Sequence, residues 1–346
     1  MTRFASLLIL VGCLGCPLPI STDGGVLADS GSGGGTAADA GAGGGGGGMG
    51  TSDRCAVITD SVNAAGFGDK VSVTCDAGYA LIASDTYPAH SLMNGITGTN
   101  DQVPVPAPGY VSPIPLVPAK ATTVTTIDAA LAVAVNGVPI YDYTSQGLNN
   151  PAVYDPAADT KLTGELDVCN GHSGRGDDYH YHAAPTCMMA AMANKGPAAI
   201  IGWAFDGYPI YGNTAPDGSM LPAGSLDDCN GMADATFGFR YHTSDNHPYI
   251  VQCLDGQVDL TRAPRVAPLM AATPGPGKPP GTKPPGGVTS LALVEAADGT
   301  RTMTYQWSGQ TYSIQYKPSS TPNCWDFAEK SYTTGGVLQT HTWCRR

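Results

Sequence analysis

The sequence predicts a mostly β fold, with α+β the variant left open, and three observations carry that reading. Of 346 residues, 46 are Gly and 28 are Pro, a density of helix breakers that favours short strands and turns over long helices. Two apolar runs end in turn dipeptides, Ala129 to Val135 before Asn136-Gly137 and Ala199 to Phe205 before Asp206-Gly207. Three blocks also recur in order: VNGVPIYDY (135–143) against FDGYPIYGN (205–213), LDVCNGH (166–172) against LDDCNGM (226–232), and Tyr181-His182 against Tyr241-His242. The recurrence implies a duplicated unit over about 129–187 and 199–253. Each copy reads as a strand, a tight turn, a second strand, and a cysteine-anchored loop leading into a Tyr-His strand.

Taken in chain order, residues 1–16 read as a lipoprotein signal peptide. Arg3 supplies a basic start, Phe4 to Leu14 is almost wholly apolar, and a small residue precedes both Cys13 and Cys16. That apolar run is shorter than the roughly 20 residues a membrane-spanning helix needs. Lipidation at Cys13 or Cys16 is therefore the expected anchor, placing the protein in the cell envelope on the extracytoplasmic side. The alternative is an ordinary secreted protein with a spare cysteine. Residues 17–54, dominated by Gly, Ala, Ser, Thr and Asp, bury too little apolar surface to fold and read as a disordered tether. Residues 55–266 form the expected β-rich domain, and the Pro/Gly-rich stretch 267–287, with PGPGKPPGTKPPGG at its heart, reads as a linker. Residues 288–346 alternate apolar and polar side chains in MTYQW and YSIQY about a Ser308-Gly309 turn, which predicts a small antiparallel β module.

Cysteine parity agrees with export. Beyond the signal stand Cys55, Cys75, Cys169, Cys187, Cys229, Cys253, Cys324 and Cys344, an even set that reads as a disulfide framework. Their similar spacings suggest pairing between sequence neighbours, each bridge stabilising by roughly 3 kcal/mol in the loop-entropy picture. Both turn dipeptides are expected to take type I′ geometry with two positive φ angles. Pro139 and Pro209, unable to donate to a ladder, are expected at a sheet edge or a bulge. A helix is expected only around Cys187 to Lys195. A net charge of −12 without a basic patch argues against nucleic acid as a partner. Membrane contact through the N-terminal lipid and contact with cell-envelope components are the expected partnerships, and nothing in the sequence speaks to oligomeric state.

The most specific constellation is Tyr179-His180-Tyr181-His182. Together with Asn136 to Tyr141, Asp206 to Tyr211, Asp167 to His172 and Tyr241-His242, it resembles the bacterial YHYH domain family, over roughly Ala80 to Asp255. The resemblance implies an exported or surface protein and carries no settled biochemical activity.

Read as chemistry, two histidines at i and i+2 on a strand leave the same face, while Tyr179 and Tyr181 leave the other. His180 and His182 are therefore candidate ligands for a transition metal, zinc or copper, with His172 or His242 as the third. Asp167, Asp178 and Asp227, with Tyr179 and Tyr181, are candidates to support the ligands from behind. His172 is matched by Met232 and His180 by Arg240, so only the first copy keeps a full histidine set. The competing reading is a metal-free structural or adhesive surface lipoprotein whose histidines and aspartates only satisfy one another and nearby loop amides. No Gly-x-Ser-x-Gly elbow occurs, and no catalytic residue is assigned.

Overall fold

The computed structural model describes residues 50–147, 150–273 and 275–345. The signal peptide, the lipidation candidates Cys13 and Cys16, and all but the last few residues of the tether lie outside the described residues. In chain order the elements are α1 (Thr51–Ala64), β1 (Ser72–Cys75), β2 (Tyr79–Ser84), β3 (Tyr110–Pro115), β4 (Lys120–Thr125), β5 (Ala132–Ala134), β6 (Pro139–Ile140), β7 (Gly171–Ser173) and β8 (Tyr179–Tyr181). There follow α2 (Thr186–Ala191), β9 (Gly202–Ala204), β10 (Pro209–Tyr211), β11 (Gly231–Asp234), β12 (Gly238–His242), β13 (Leu254–Gly256) and β14 (Leu269–Ala271). The chain ends in β15 (Thr289–Glu295), β16 (Arg301–Trp307), β17 (Gln310–Pro318), β18 (Cys324–Lys330) and β19 (Gln339–Arg345). The fold is thus mostly β.

The duplication becomes a symmetric sheet. Eight strands run in the order β11-β12-β10-β9-β5-β6-β8-β7, two four-stranded halves meeting where β5 and β9 pair antiparallel. Val133 lies opposite Trp203, its own counterpart in the repeat, so the pseudo-twofold axis passes through that pair. Each half repeats the same ladder. β5 with β6 and β9 with β10 are antiparallel hairpins, β6 with β8 and β10 with β12 are parallel, and β7 with β8 and β11 with β12 are antiparallel. Val133, Val135, Ile140, Trp203 and Ile210 are buried at this seam. Full burial of side chains of this kind stabilises by about 1.5–3 kcal/mol each.

The hairpin turns differ from the type I′ expectation. Gly137 and Gly207 have φ of +78° and +91°, whereas neither Asn136 nor Asp206 has a positive φ. The Gly137 N–H donates to the Ala134 carbonyl and the Ala134 N–H to that of Val138, which is the three-residue turn with a left-handed glycine bulge. Asn136 and Asp206 are instead held by their side chains. Asn136 Nδ2 donates to Tyr181 Oη at 3.0 Å, and Asp206 accepts from Tyr241 Oη at 2.6 Å, equivalent bonds in the two halves. The prolines sit beside the bulge rather than at an edge. β6 and β10 are interior strands, and Pro139 and Pro209 are their first residues, directly after the bulge, where a missing N–H breaks no rung.

Four disulfides join Cys55 to Cys75, Cys169 to Cys187, Cys229 to Cys253 and Cys324 to Cys344, the neighbour pairs expected from spacing. α2 occupies the stretch expected to be helical. α1 was not expected, and its first turn falls within the stretch read as tether. It forms because Ile58 and Val62, one helical turn apart, are buried while Cys55 ties it to β1.

The stretch 267–287, read as a linker, supplies β14, which pairs with β19. The C-terminal sheet, ordered β14-β19-β18-β17-β16-β15, is packed on the rest of the domain. Tyr305 Oη donates to Asp101 at 2.6 Å. Arg345, 7% exposed, donates to the carbonyls of Val105, Pro106, Gly176, Asp177 and Ala267.

Candidate metal centre

The ladder between β7 and β8 builds the site. His172 lies directly opposite His180 in the antiparallel register, and His182 follows two residues after His180 on the same face. The three imidazole centroids form a near-equilateral triangle with sides of 4.9, 4.8 and 4.8 Å. Each ring offers one nitrogen to a set lying within 4.8 Å of one another. At 9%, 4% and 2% exposed, the rings of His172, His180 and His182 have almost no water to satisfy them.

What faces the rear of each ring is decisive. His182 Nδ1 is bonded to the Asp142 carbonyl, and His180 Nδ1 lies 3.3 Å from Asp178 Oδ2. His172 turns Nε2 toward His182 Nε2 at 3.0 Å, and its ring also interacts with the Glu165 backbone. The acceptors behind Nδ1 of His180 and His182 select the Nδ1–H tautomer in those two rings and leave their Nε2 lone pairs free. Burial, and then the neighbouring His182 and His180, hold His172 well below the usual histidine range. Burial followed by the His180 charge pushes His182 down to about 3. Burial alone would raise the Asp178 carboxyl, but its hydrogen bond to His180 and the charges of His180 and Arg345 bring it below the ordinary value.

The loop that carries Asp178 is fixed from outside the repeat. Arg345 grips the Gly176 and Asp177 carbonyls, and Lys278 Nζ pairs with Asp177 at 3.2 Å. The ring of Tyr141 stacks on His180 with a centroid separation of 4.1 Å. A cleft of about 460 Å³ reaches the three histidines, and Asp128, Asp142, Glu165, Arg175 and Arg265 also line it.

The other residues that the sequence put forward separate cleanly by position. Tyr179 and Tyr181 leave the opposite face, where Tyr179 Oη donates to Asp167 at 2.9 Å and Tyr181 Oη meets Asn136 and His90. Asp167 does not support an imidazole. Its carboxylate accepts from the backbone N–H groups of Met93, Cys169 and Gly171, shaping the Asp-x-Cys-Asn-Gly turn with a left-handed Asn170. Asp227 performs the same task for Cys229 and Gly231 in the second half. His242 also belongs to the second half, on β12, with Nδ1 on the Gly212 carbonyl at 2.8 Å. Of the four named histidines, the fold brings together His172, His180 and His182. The Asp142 carbonyl, the Glu165 backbone and the stacked Tyr141 were not found from sequence, since a backbone group's role depends on register that no residue type announces.

Two other groups of ligand-type residues occur among the described residues, His90 with Cys169 and Cys187, and Asp227 with Cys229 and Asp255. Both include cysteines already spent in disulfides. The three-histidine group alone of these keeps all its donors available, and it can hold a metal ion.

A family model described as YHYH protein matches residues 112–221, so this part of the chain is similar to that family. The matched span includes the three clustered histidines and ends before Arg240 and His242. No curated protein and no solved structure matches the chain.

Proposed function

We propose that this chain is an exported, lipid-anchored metal-binding protein of the cell envelope, holding one zinc or copper ion on His172, His180 and His182. The observation that carries the reading is the grouping of three buried imidazoles, each with a ring nitrogen within 4.8 Å of the others, two of them backed at Nδ1 by an acceptor. The 3.0 Å approach of His172 Nε2 to His182 Nε2 needs a proton on one of them. Putting it on His182 either turns a bare Nδ1 toward the Asp142 carbonyl or creates a buried imidazolium, and burial opposes the second. An ion removes the need for that proton, because neutral imidazole is the ligand form and acceptors behind Nδ1 are the usual support for metal-bound histidine. Three protein ligands leave a position open, as in reactive rather than structural zinc sites. The cleft admits a small molecule to it.

The competing reading, a metal-free structural or adhesive lipoprotein, draws on the same 3.0 Å contact as a plain hydrogen bond. The two part on one experiment. In untagged protein dialysed against weak chelator, replacing His180 and His182 by alanine abolishes bound metal under the metal reading and leaves the disulfide-held fold intact. Under the competing reading there is no metal to lose, and the substitution only lowers thermal stability.

Export and anchoring rest on the N-terminal pattern and on four disulfides, which persist in oxidising compartments. No described helix is long and apolar enough to cross a membrane. Labelled palmitate fed to cells expressing the full chain should be incorporated, and lost when Cys13→Ser and Cys16→Ser are combined. Label that survives the double change, or never appears, removes the lipid anchor.

A further inference from the structure

The second half contains the same scaffold with different side chains at its centre. His242 repeats His182, with Nδ1 on the Gly212 carbonyl as His182 has Nδ1 on that of Asp142. Its N–H donates to the Asn230 carbonyl as that of His182 donates to Asn170. Met232 lies opposite Arg240 in the register that places His172 opposite His180. His242 Nε2 is buried without a hydrogen-bond partner among the described residues. A second imidazole donor is thus formed, oriented and unused.

Three substitutions between the halves hang together. Gly174 must be glycine in the first half, because a Cβ there would meet His180 Cε1 at 2.4 Å. Its counterpart is Asp234, whose carboxylate binds Arg240 at 2.7 Å. The Arg240 guanidinium, 1% exposed, also donates to the Gly238 carbonyl at 3.1 Å and approaches Met232 Sδ at 3.6 Å. An arginine has no lone pair for a metal and stays cationic, so it can fill a cation's place but not ligate one. Buried, it needs a counter-charge, and Asp234 provides one.

We propose that the pocket of Met232, Arg240 and His242 is a second metal site of the same class as the first, closed by the Arg240 guanidinium standing in for the ion. The inference rests on the metal reading of the first half. One ion per chain follows, and the fourth candidate histidine, His242, is a ligand held in reserve. Ligand type and cation changed together in the second half while the backbone anchors did not.

Two reciprocal variants of the full chain test it, each loaded with zinc alone and counted by atomic absorption after gel filtration. Met232→His, Asp234→Gly and Arg240→His combined should raise bound zinc from one ion per chain to two. Adding His180→Ala and His182→Ala should then return it to one. The converse set, His172→Met, Gly174→Asp and His180→Arg, should close the first site, giving no zinc but a melting temperature near that of the parent. A folded opening variant that stays at one ion, or a closing variant that retains its ion, overturns the proposal. Should the opening set fail to fold, the closing set decides alone. A parent protein with no zinc defeats the first-half reading and this inference with it, whereas a parent with one ion and a folded opening variant that stays at one defeats the second site alone.

Discussion

At the scale of single residues, the candidate centre depends on how three rings are held rather than on their being histidine. Asp178 is the one carboxylate behind a ring, and it is itself kept ionised by His180 and Arg345. Replacing it by asparagine keeps the shape and removes the charge, so metal affinity should fall by about 10–100-fold. Competition with a chromophoric chelator reads this directly, and an unchanged affinity would mean that Asp178 serves only its loop. The spacing of His180 and His182 made their shared face legible in the sequence, because alternation on a strand is a property of the backbone. The choice between His172 and His242 was not legible. It depends on which strand lies beside β8, and β7 won because the Cys-Asn-Gly turn brings the chain straight back. Asp167 misled for a related reason: a carboxylate near a histidine in sequence has nearer customers in the amides of its own turn.

At the scale of elements, turn chemistry set the hairpins but not in the form expected. Both glycines of the turn dipeptides carry the positive φ, while Asn136 and Asp206 give their side chains to Tyr181 and Tyr241. A Cβ at Gly137 would also meet Ser84 Cβ at 2.4 Å. Gly137→Ala should therefore destabilise by about 1–3 kcal/mol, measured by urea unfolding. Gly68→Ala, where the same atom meets nothing within 4 Å, should be near neutral. Equal effects at the two positions would contradict the strained-turn account. Of the two places the proline rule allowed, an edge or a bulge, the structure gives the bulge: what matters is whether a rung uses that N–H, and the bulge beside Pro139 and Pro209 removes the need. α1 was missed because the glycine-rich stretch before it dominates the composition, while its buried contacts, Ile58 and Val62, are only two.

At the scale of the molecule, the repeat in the sequence was the best guide to architecture, and the pseudo-twofold through Val133 and Trp203 is its direct expression. The relation of the C-terminal sheet to the rest was not readable, since a Pro/Gly-rich stretch looks like a spacer whether or not it pairs with a strand. Here it does, and Arg345 joins the last strand to the loop bearing Asp178. Charged hydrogen bonds of this kind contribute roughly 1.5–3 kcal/mol each, and removing the donor orphans buried carbonyls. Arg345→Met should lower the thermal midpoint and weaken metal binding together. A variant that melts earlier yet binds metal as before would separate the two halves of that coupling. The central claim, that His172, His180 and His182 form a metal centre, meets its most direct test in the metal content of the untagged protein after dialysis. One tightly held zinc or copper ion per chain, absent when His180 and His182 are replaced by alanine, is the predicted result. A folded, disulfide-bonded protein that holds no stoichiometric metal, even after incubation with either ion, would contradict it.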